Sequence, residues 1–314
     1  MIIVTGGGGF IGSNLVSAIN RKGLGDVIVV DDLANGRTVP NLGDCEVSDY
    51  WDKGRLLSEL SSGRRKPSVV FHQGACAVTT EWNGRLMMET NYRYSVALLE
   101  YCVAERVPLI YASSAAVYGA NTSFSEEDAR LERPLNIYGY SKLLFDQRVR
   151  RVLPTARSQI VGLRYFNVYG PREAHKGPMA SVAYHLTRQI AESGEVRLFE
   201  GSGGYAAGEQ RRDFIYVDDV VRVNLWFYEH PDRSGIFNVG TGASASFNEL
   251  ARAVIDWHGF GKIRYIPFPD GLKSSYQSFT EADVRALRNI GYTEPFADVR
   301  SGTSAYLDAM QARS

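Results

Sequence analysis

The stretch Ile2-Ile3-Val4-Thr5-Gly6-Gly7-Gly8-Gly9-Phe10-Ile11-Gly12 decides how the rest of the chain is read. A short β-branched run leads into consecutive glycines, and a 3.6-residue apolar period begins at Phe10. Gly6, Gly9 and Gly12 stand at the spacing G-x-x-G-x-x-G. Without Cβ atoms there, the chain can turn tightly, the backbone can approach a pyrophosphate, and the helix can pack close to its strand. The helix N-terminus then faces the anion. A glycine pattern alone is weak evidence, but this one lies between a strand and a helix. Asp31 closes the next apolar run 19 residues after Gly12, where a carboxylate can bond the adenosine ribose of a dinucleotide.

Downstream, β-branched runs at residues 2–5, 27–30, 69–72, 109–113 and 160–166 alternate with helix-period stretches at 10–22, 51–60, 86–104 and 140–152. Right-handed crossovers between such units predict an α/β fold, a doubly wound parallel sheet covered on both faces. After about Gly170, Gly, Pro and aromatic residues interrupt shorter elements, which predicts a smaller C-terminal lobe. The expected division is residues 1–169 for the dinucleotide and 170–314 mainly for a substrate, with some segments returning to the first domain. The glycine-rich tract at 201–208 reads as a mobile loop near the boundary.

Composition narrows the function classes. The 314 residues are 44% hydrophobic and 22% charged, enough for a substantial core. Lys plus Arg and Asp plus Glu both number 35, so no long-range field attracts nucleic acid or an anionic membrane. No apolar run reaches the length of a bilayer span and the first lacks a basic leader, so a soluble, cytoplasmic protein is expected. Cys45, Cys76 and Cys102 have neither close partners nor clustered His, which indicates no disulfide framework and no metal site. All three are expected to be buried thiols.

Two further segments carry chemistry. Tyr111-Ala112-Ser113-Ser114-Ala115-Ala116-Val117-Tyr118-Gly119 continues a buried strand into a polar loop, and Tyr138-Gly139-Tyr140-Ser141-Lys142 opens a helix. The i to i+4 spacing puts Tyr138 and Lys142 on one face. A cation about 5 Å from a phenol, at an effective dielectric of about 20, contributes roughly 3 kcal/mol and pulls its pKa down toward neutrality. Tyr138 is then the expected proton acceptor from an alcohol, Lys142 its tuning cation and holder of the nicotinamide ribose, and Ser114 the group that orients the hydroxyl. An arbitrary Y-x-x-x-K is more often an amphipathic pair with a solvated lysine; the dinucleotide motif upstream reverses that reading. Asp31 and Asp32 would repel a 2′-phosphate while Arg37 could neutralise one, so the residues leave NAD and NADP both open.

With these residues in view, the chain resembles the extended short-chain dehydrogenase/reductase family, whose fold is the Rossmann sheet. The likeness includes Gly74-Ala75-Cys76, Thr79-Thr80-Glu81-Trp82, Arg164-Tyr165-Phe166-Asn167-Val168-Tyr169-Gly170-Pro171-Arg172-Glu173, His175-Lys176-Gly177 and Tyr265-Ile266-Pro267-Phe268-Pro269-Asp270. Within the family it points to the branch of isomerases that epimerise C6 of an ADP-linked heptose for lipopolysaccharide. The resemblance implies NADP, with NAD as the alternative, a transient 6-keto intermediate, ADP-heptose as the small-molecule partner, and a homo-oligomer, with a pentamer among the family's forms. It implies Lys176 as a second base beside Tyr138. It implies cofactor contacts from Phe10, Ile11, Asp31, Asp32, Lys53, Gln73, Gly74, Ala75, Cys76, Ala77 and Asn91, and substrate contacts from Asn167, Val168, Lys176, His185, Phe199, Glu200, Gly201, Ser202, Arg212 and Tyr276. Read alone, Lys176 and Lys53 would be surface lysines, His185 a structural histidine, and Arg212 a partner for Asp213.

The chain departs from the family pattern at four places. Pro178 stands where Ser is usual, Thr38 where NADP-using members often have Lys, and Gln73 where Glu is common; the loop before Arg212 is longer than typical. Two rivals remain. A UDP-hexose 4-epimerase shares the Ser, Tyr and Lys set and would be indifferent to loss of Lys176. A silent dinucleotide sensor would commonly have lost the Tyr or Lys, both present here. A 4,6-dehydratase would need an acidic pair after the active-site hydroxyl, where this chain has Ala115 and Ala116.

Overall fold

The computed structural model describes residues 1–34, 36–269 and 277–313. The strands are β1 (Ile2–Thr5), β2 (Val27–Asp31), β3 (Asp49–Asp52), β4 (Val69–His72), β5 (Leu109–Ser114), β6 (Ile160–Tyr165), β7 (Asn167–Tyr169), β8 (Glu195–Phe199), β9 (Arg211–Arg212), β10 (Phe214–Tyr216), β11 (Gly235–Val239), β12 (Ala245–Ser246) and β13 (Lys262–Ile266). The α-helices are α1 (Phe10–Arg21), α2 (Leu56–Ser61), α3 (Gly84–Met87), α4 (Tyr94–Ala104), α5 (Ile137–Val152), α6 (Val182–Ser193), α7 (Val217–Glu229), α8 (Phe247–His258), α9 (Arg285–Asn289) and α10 (Val299–Ala312).

Among the described residues, seven strands form one parallel sheet in the order β11-β6-β5-β4-β1-β2-β3. Apolar residues at successive strand positions serve opposite faces, as the two-residue period requires. Ile2 and Val4 pack with Leu15, Val16 and Ile19 of α1 and Val220 and Val223 of α7, whereas Ile3 packs with Leu98 and Leu99 of α4 and Phe145 and Val149 of α5. The order reverses between β1 and β4, and ligands of such sheets bind beside this switch at the carboxyl edge. Register aligns that edge, because Thr5 pairs with both Val30 and His72, and His72 pairs with Tyr111.

After β6 the chain builds a second layer from the small sheets β10-β7, β12-β9 and β13-β8 with α6, α8 and α10. Its core joins Leu186, Val196, Leu198, Phe214, Leu250 and Tyr306 to Phe10 at the start of α1. The layer is not contiguous in sequence. α7 packs on α1, and β11 extends the main sheet beside β6.

Several expectations change. The stretch 51–60 is not one helix, since Trp51 belongs to edge strand β3 and the helix begins at Leu56. Only Trp51 of β3 is buried, so the strand lacks the apolar run that marks a central one. The stretch 86–104 is helical but contains a π-helical segment at Met88–Arg93. The tract at 201–208 is pinned, with Gly208 N–H donating to the Phe199 carbonyl at 3.1 Å and Asn248 Nδ2 to the Ala207 carbonyl at 3.0 Å. Of the three thiols only Cys102 is buried; Cys45 and Cys76 are half-buried. Among the described residues no helix is long and apolar enough to cross a membrane.

Candidate active site

The glycine turn is a backbone-walled cradle. Gly6 has φ +64°, and a Cβ there would lie 2.6 Å from Gly74 Cα. A Cβ on Gly12 would run into the Gly6 carbonyl. Helix α1 starts at Phe10 with no side chain capping its first turn and no acidic residue in it, so its free N–H groups are left for an anion. Asp31 accepts a hydrogen bond from Gly8 N–H at 2.7 Å, bringing the ribose-side carboxylate against the turn. Burial pushes its pKa up, opposed by bonds from the Asp32 and Gly8 amides. Lys53 Nζ lies 2.6 Å from Asp32 Oδ2 and, through that bond, holds Asp32 below its ordinary value. Arg37 is exposed close by, and Thr38 Oγ1 would lie 3.1 Å from a Cβ on Gly8. A pyrophosphate and an adenosine ribose fit this donor set.

The opposite wall is the strip of residues 73–77 after β4. Asn91, in the π-helical segment, grips the Cys76 peptide, its Oδ1 accepting from Cys76 N–H at 2.8 Å and its Nδ2 donating to the Cys76 carbonyl at 3.0 Å. The same Nδ2 reaches Ser141 Oγ at 3.2 Å, beside Lys142. The Gln73 side chain turns away from the strip, donating to Asn224 Oδ1 at 3.1 Å and accepting from the Tyr165 hydroxyl at 3.0 Å.

Tyr138 comes beside Ser114, and Lys142 stands one turn further along α5. Asn136 caps α5 by accepting from Gly139 N–H at 2.8 Å, and a Cβ on Gly139 would lie 2.6 Å from the Ala116 carbonyl. The glycine thus lets α5 close onto the end of β5, which brings the Tyr138 hydroxyl beside Ser114. The electrostatics differ from expectation. Burial raises the Tyr138 pKa, and the Ser114 side chain opposes it. Burial lowers Lys142 to about 8, opposed by Asp146. The Lys142 ammonium donates to the Ala112 carbonyl at 2.8 Å.

Behind this set lies a buried polar network that sequence reasoning missed. Asp146 accepts from Tyr111 OH, Ser113 Oγ and Arg164 Nε, each at 2.9 Å. Arg164 is fully buried and also reaches Glu132 at 2.5 Å and the Tyr118 hydroxyl at 2.9 Å. The available signal was helical spacing, since Asp146 stands one turn beyond Lys142.

Lys176 lies at the start of α1, its ammonium 5.1 Å from the Phe10 ring centroid, and burial lowers its pKa. Arg172, at φ 73°, ties this loop to Asn41 and Asp44. Asn41 Nδ2 in turn donates to the Gly8 carbonyl at 3.0 Å and contacts His175 Nδ1 at 3.1 Å.

Asn167, Phe199 and Arg212 line a cleft of about 300 Å³ with Val182, Gln210 and Phe247. The Arg212 guanidinium lies 5.6 Å over the Phe247 ring and donates to the carbonyls of Arg211 and Gln277. Asp213 is not its partner, since that carboxylate accepts from Thr241, Gly242 and Ala282. Gln210 bridges the Glu200 carbonyl and Ser202 Oγ, and Gly201 approaches Tyr205 too closely for a Cβ. Val168 pairs with Ile215 between β7 and β10, and His185 lies on α6 beside the Tyr184 ring. Tyr276 lies outside the described residues.

The pattern of the NAD dependent epimerase/dehydratase family matches residues 2–240. An ADP-L-glycero-D-manno-heptose-6-epimerase of Alkalilimnicola ehrlichii is 58% identical over 99% of this chain and 97% of its own. The crystal structure of the Helicobacter pylori ADP-L-glycero-D-manno-heptose-6-epimerase superposes with a TM-score of 0.85 at 34% identity, covering 99% of this chain and 96% of that one. A UDP-glucose 4-epimerase of Thermus thermophilus, in complex with NAD, superposes at 0.79 with 27% identity, over 99% and 98% of the two chains. The chain belongs to the NAD dependent epimerase/dehydratase family.

Proposed function

We propose that this member of the epimerase family inverts C6 of ADP-D-glycero-D-manno-heptose to give the L-glycero epimer, a precursor for the lipopolysaccharide core. The observation that carries the reading is the joining of Ser114 and Tyr138 at one end of a glycine-walled cradle, in a chain so close to a named heptose epimerase.

The unactivated C6–H bond is too weakly acidic to lose a proton, so inversion goes through a ketone. A bound nicotinamide dinucleotide supplies the hydride acceptor and returns the same hydride, leaving no net oxidation. Gly6, Gly9, Gly12 and the first turn of α1 would hold its pyrophosphate, Asp31 its adenosine ribose, and Lys142 the nicotinamide ribose. Lys53, beside Asp32, and Arg37 would contact a 2′-phosphate, the reading that favours NADP over NAD.

Ser114 orients the C6 hydroxyl toward Tyr138, which takes the hydroxyl proton as phenolate; the positive charge of an oxidised nicotinamide would offset the burial that raises its pKa. Rotation about C5–C6 turns the other ketone face to the site. Lys176 then returns a proton to the oxygen, and the roles reverse for the opposite direction. Arg212 and Asn167 would take the diphosphate end, with Phe199, Glu200, Gly201 and Ser202 beside the nucleotide. In this reading residues 1–169 mainly serve the dinucleotide and 170–314 mainly the sugar nucleotide, in a cytoplasmic homo-oligomer.

Incubating the protein with ADP-D-glycero-D-manno-heptose and following C6 configuration by NMR tests the reading. Mixed C6 epimers are expected. A substrate whose C6 configuration stays intact while nicotinamide is bound, or turnover of UDP-glucose in its place, would exclude it.

A further inference from the structure

His72 closes β4 in the middle of the sheet, is fully enclosed, and takes no part in the proton transfers above. Its Nδ1 lies 2.6 Å from Thr5 Oγ1 and its Nε2 2.8 Å from Ser95 Oγ. The neighbours settle which nitrogen bears hydrogen. Ser95 donates its only hydroxyl hydrogen to the Asn91 carbonyl at 2.6 Å, so it must accept from His72 Nε2–H. Nδ1 is then the acceptor for the Thr5 hydroxyl, whose oxygen accepts from Gly74 N–H at 3.1 Å. One chain of donors therefore runs from Gly74 through Thr5, His72 and Ser95 to Asn91, every bond pointing the same way.

Both ends of this chain meet the strip facing the glycine cradle. At one end is the Gly74 amide, packed on Gly6; at the other is Asn91, whose side chain grips Cys76. We propose that His72 is a positioning residue for the dinucleotide, fixing the strip of residues 73–77 at Gly74 and Cys76 together through a single neutral imidazole. The proposal rests on the cofactor reading above.

Only the neutral ring with its proton on Nε2 completes the chain. A doubly protonated ring would make Thr5 Oγ1 accept from both Nδ1–H and Gly74 N–H and would deprive the Thr5 hydroxyl hydrogen of its acceptor. The groups facing the ring are Thr5 from β1, Ser95 and the Tyr94 ring from α4, the latter at 5.9 Å, and the Lys142 ammonium from α5. Burial first, and Lys142 second, lower its pKa to about 3, so no acid competes for the ring at neutral pH. An apolar side chain could fill the same volume but would leave the Thr5 hydroxyl hydrogen without its acceptor and the Ser95 oxygen without its donor.

The test uses the full-length protein stripped of nucleotide, with NADP⁺ as the probe, and compares wild type with His72→Phe and His72→Asn. The Kd for NADP⁺ is expected to rise at least about tenfold in His72→Phe, while the KM for the sugar nucleotide at saturating cofactor changes less than about twofold. His72→Asn, which keeps an acceptor near the Nδ1 position, is expected to recover part of the loss. An unchanged Kd in a folded His72→Phe would show that the ring only fills space and would overturn the proposal. Should the Phe variant not fold, ¹⁵N NMR of wild-type His72 decides: the Nε2–H tautomer is expected, and an Nδ1–H or charged ring overturns it. Wild type that binds no NADP⁺ would instead sink the cofactor reading itself.

Discussion

Lys142 Nζ donates to the Ala112 carbonyl at 2.8 Å, so the ammonium anchors the strand that ends in Ser114 instead of turning toward Tyr138, its neighbour one turn back. Its contribution to Tyr138 is therefore positional, because it holds the Ser114 end of β5 against the helix that carries the phenol.

Burial lowers Lys142 to about 8, so its charge is lost as pH rises through that value. If the charged form is the working one, kcat/KM falls above about pH 8, and Lys142→Arg, which stays charged, removes that alkaline limb. Tyr138→Phe is expected to lower kcat by about 10²- to 10⁴-fold at every pH, the range for losing a positioned acid or base. A pH profile of the three proteins, each loaded with cofactor, checks both statements.

Lys176 stands over Phe10 at the start of α1. If it serves the second epimer, Lys176→Met still oxidises one epimer but cannot complete the inversion. Single-turnover absorbance should show reduced nicotinamide forming with one C6 epimer and little with the other. Equal behaviour with both epimers would leave Lys176 as a substrate contact.

The Lys53–Asp32 pair is exposed and on its own worth little to stability. Its ammonium nonetheless bonds one of the two ribose-side carboxylates. Lys53→Ala is expected to weaken NADP⁺ by about tenfold and NAD⁺ by less than about twofold, the difference expected from losing one charge-assisted phosphate contact. Parallel titrations with both dinucleotides give the ratio.

Asp146 and Arg164 are both fully buried and paired at 2.9 Å. Removing one partner of such a pair costs about 3–5 kcal/mol, because the other charge is left buried. Asp146→Ala should lower the denaturation midpoint accordingly. Nearby, Glu132 is pushed up by burial, but hydrogen bonds from Arg150 and attraction to Arg164 outweigh this and lower its pKa below 4.5. That carboxylate's share of stability is present above pH 4.5 and is lost as pH falls through its lowered folded value, which acid titration of the unfolding free energy would reveal.

The central strands were legible because buried parallel strands are continuous apolar runs, and the cradle because glycine at three fixed positions has few other uses. β3 was not, because Asp49, Tyr50 and Asp52 are exposed and leave Trp51 as its single buried residue, and the apolar period of α2 bleeds back into it. The return of β11 to the sheet depends on which edge remained open after β6, a property of the assembled sheet. Ser114, Tyr138 and Lys142 could be named from spacing. Their electrostatics could not, because the direction of the Tyr138 shift is decided by burial among residues far apart in sequence. The Asp146–Arg164 pair was hidden for the same reason, as was the direction in which the Gln73 side chain points.

The covalent path through α7 and β11 limits how this molecule can open. The polypeptide goes out from β6, comes back through α7 and β11, and goes out again at β12, so the outer layer is sewn to the sheet by several stitches. A wide swing about one flexible joint would tear β11 from β6. Access for a bulky sugar nucleotide must come from slight sliding between layers or from rearranged loops, and hydrogen exchange should find the slowest amides spanning both layers.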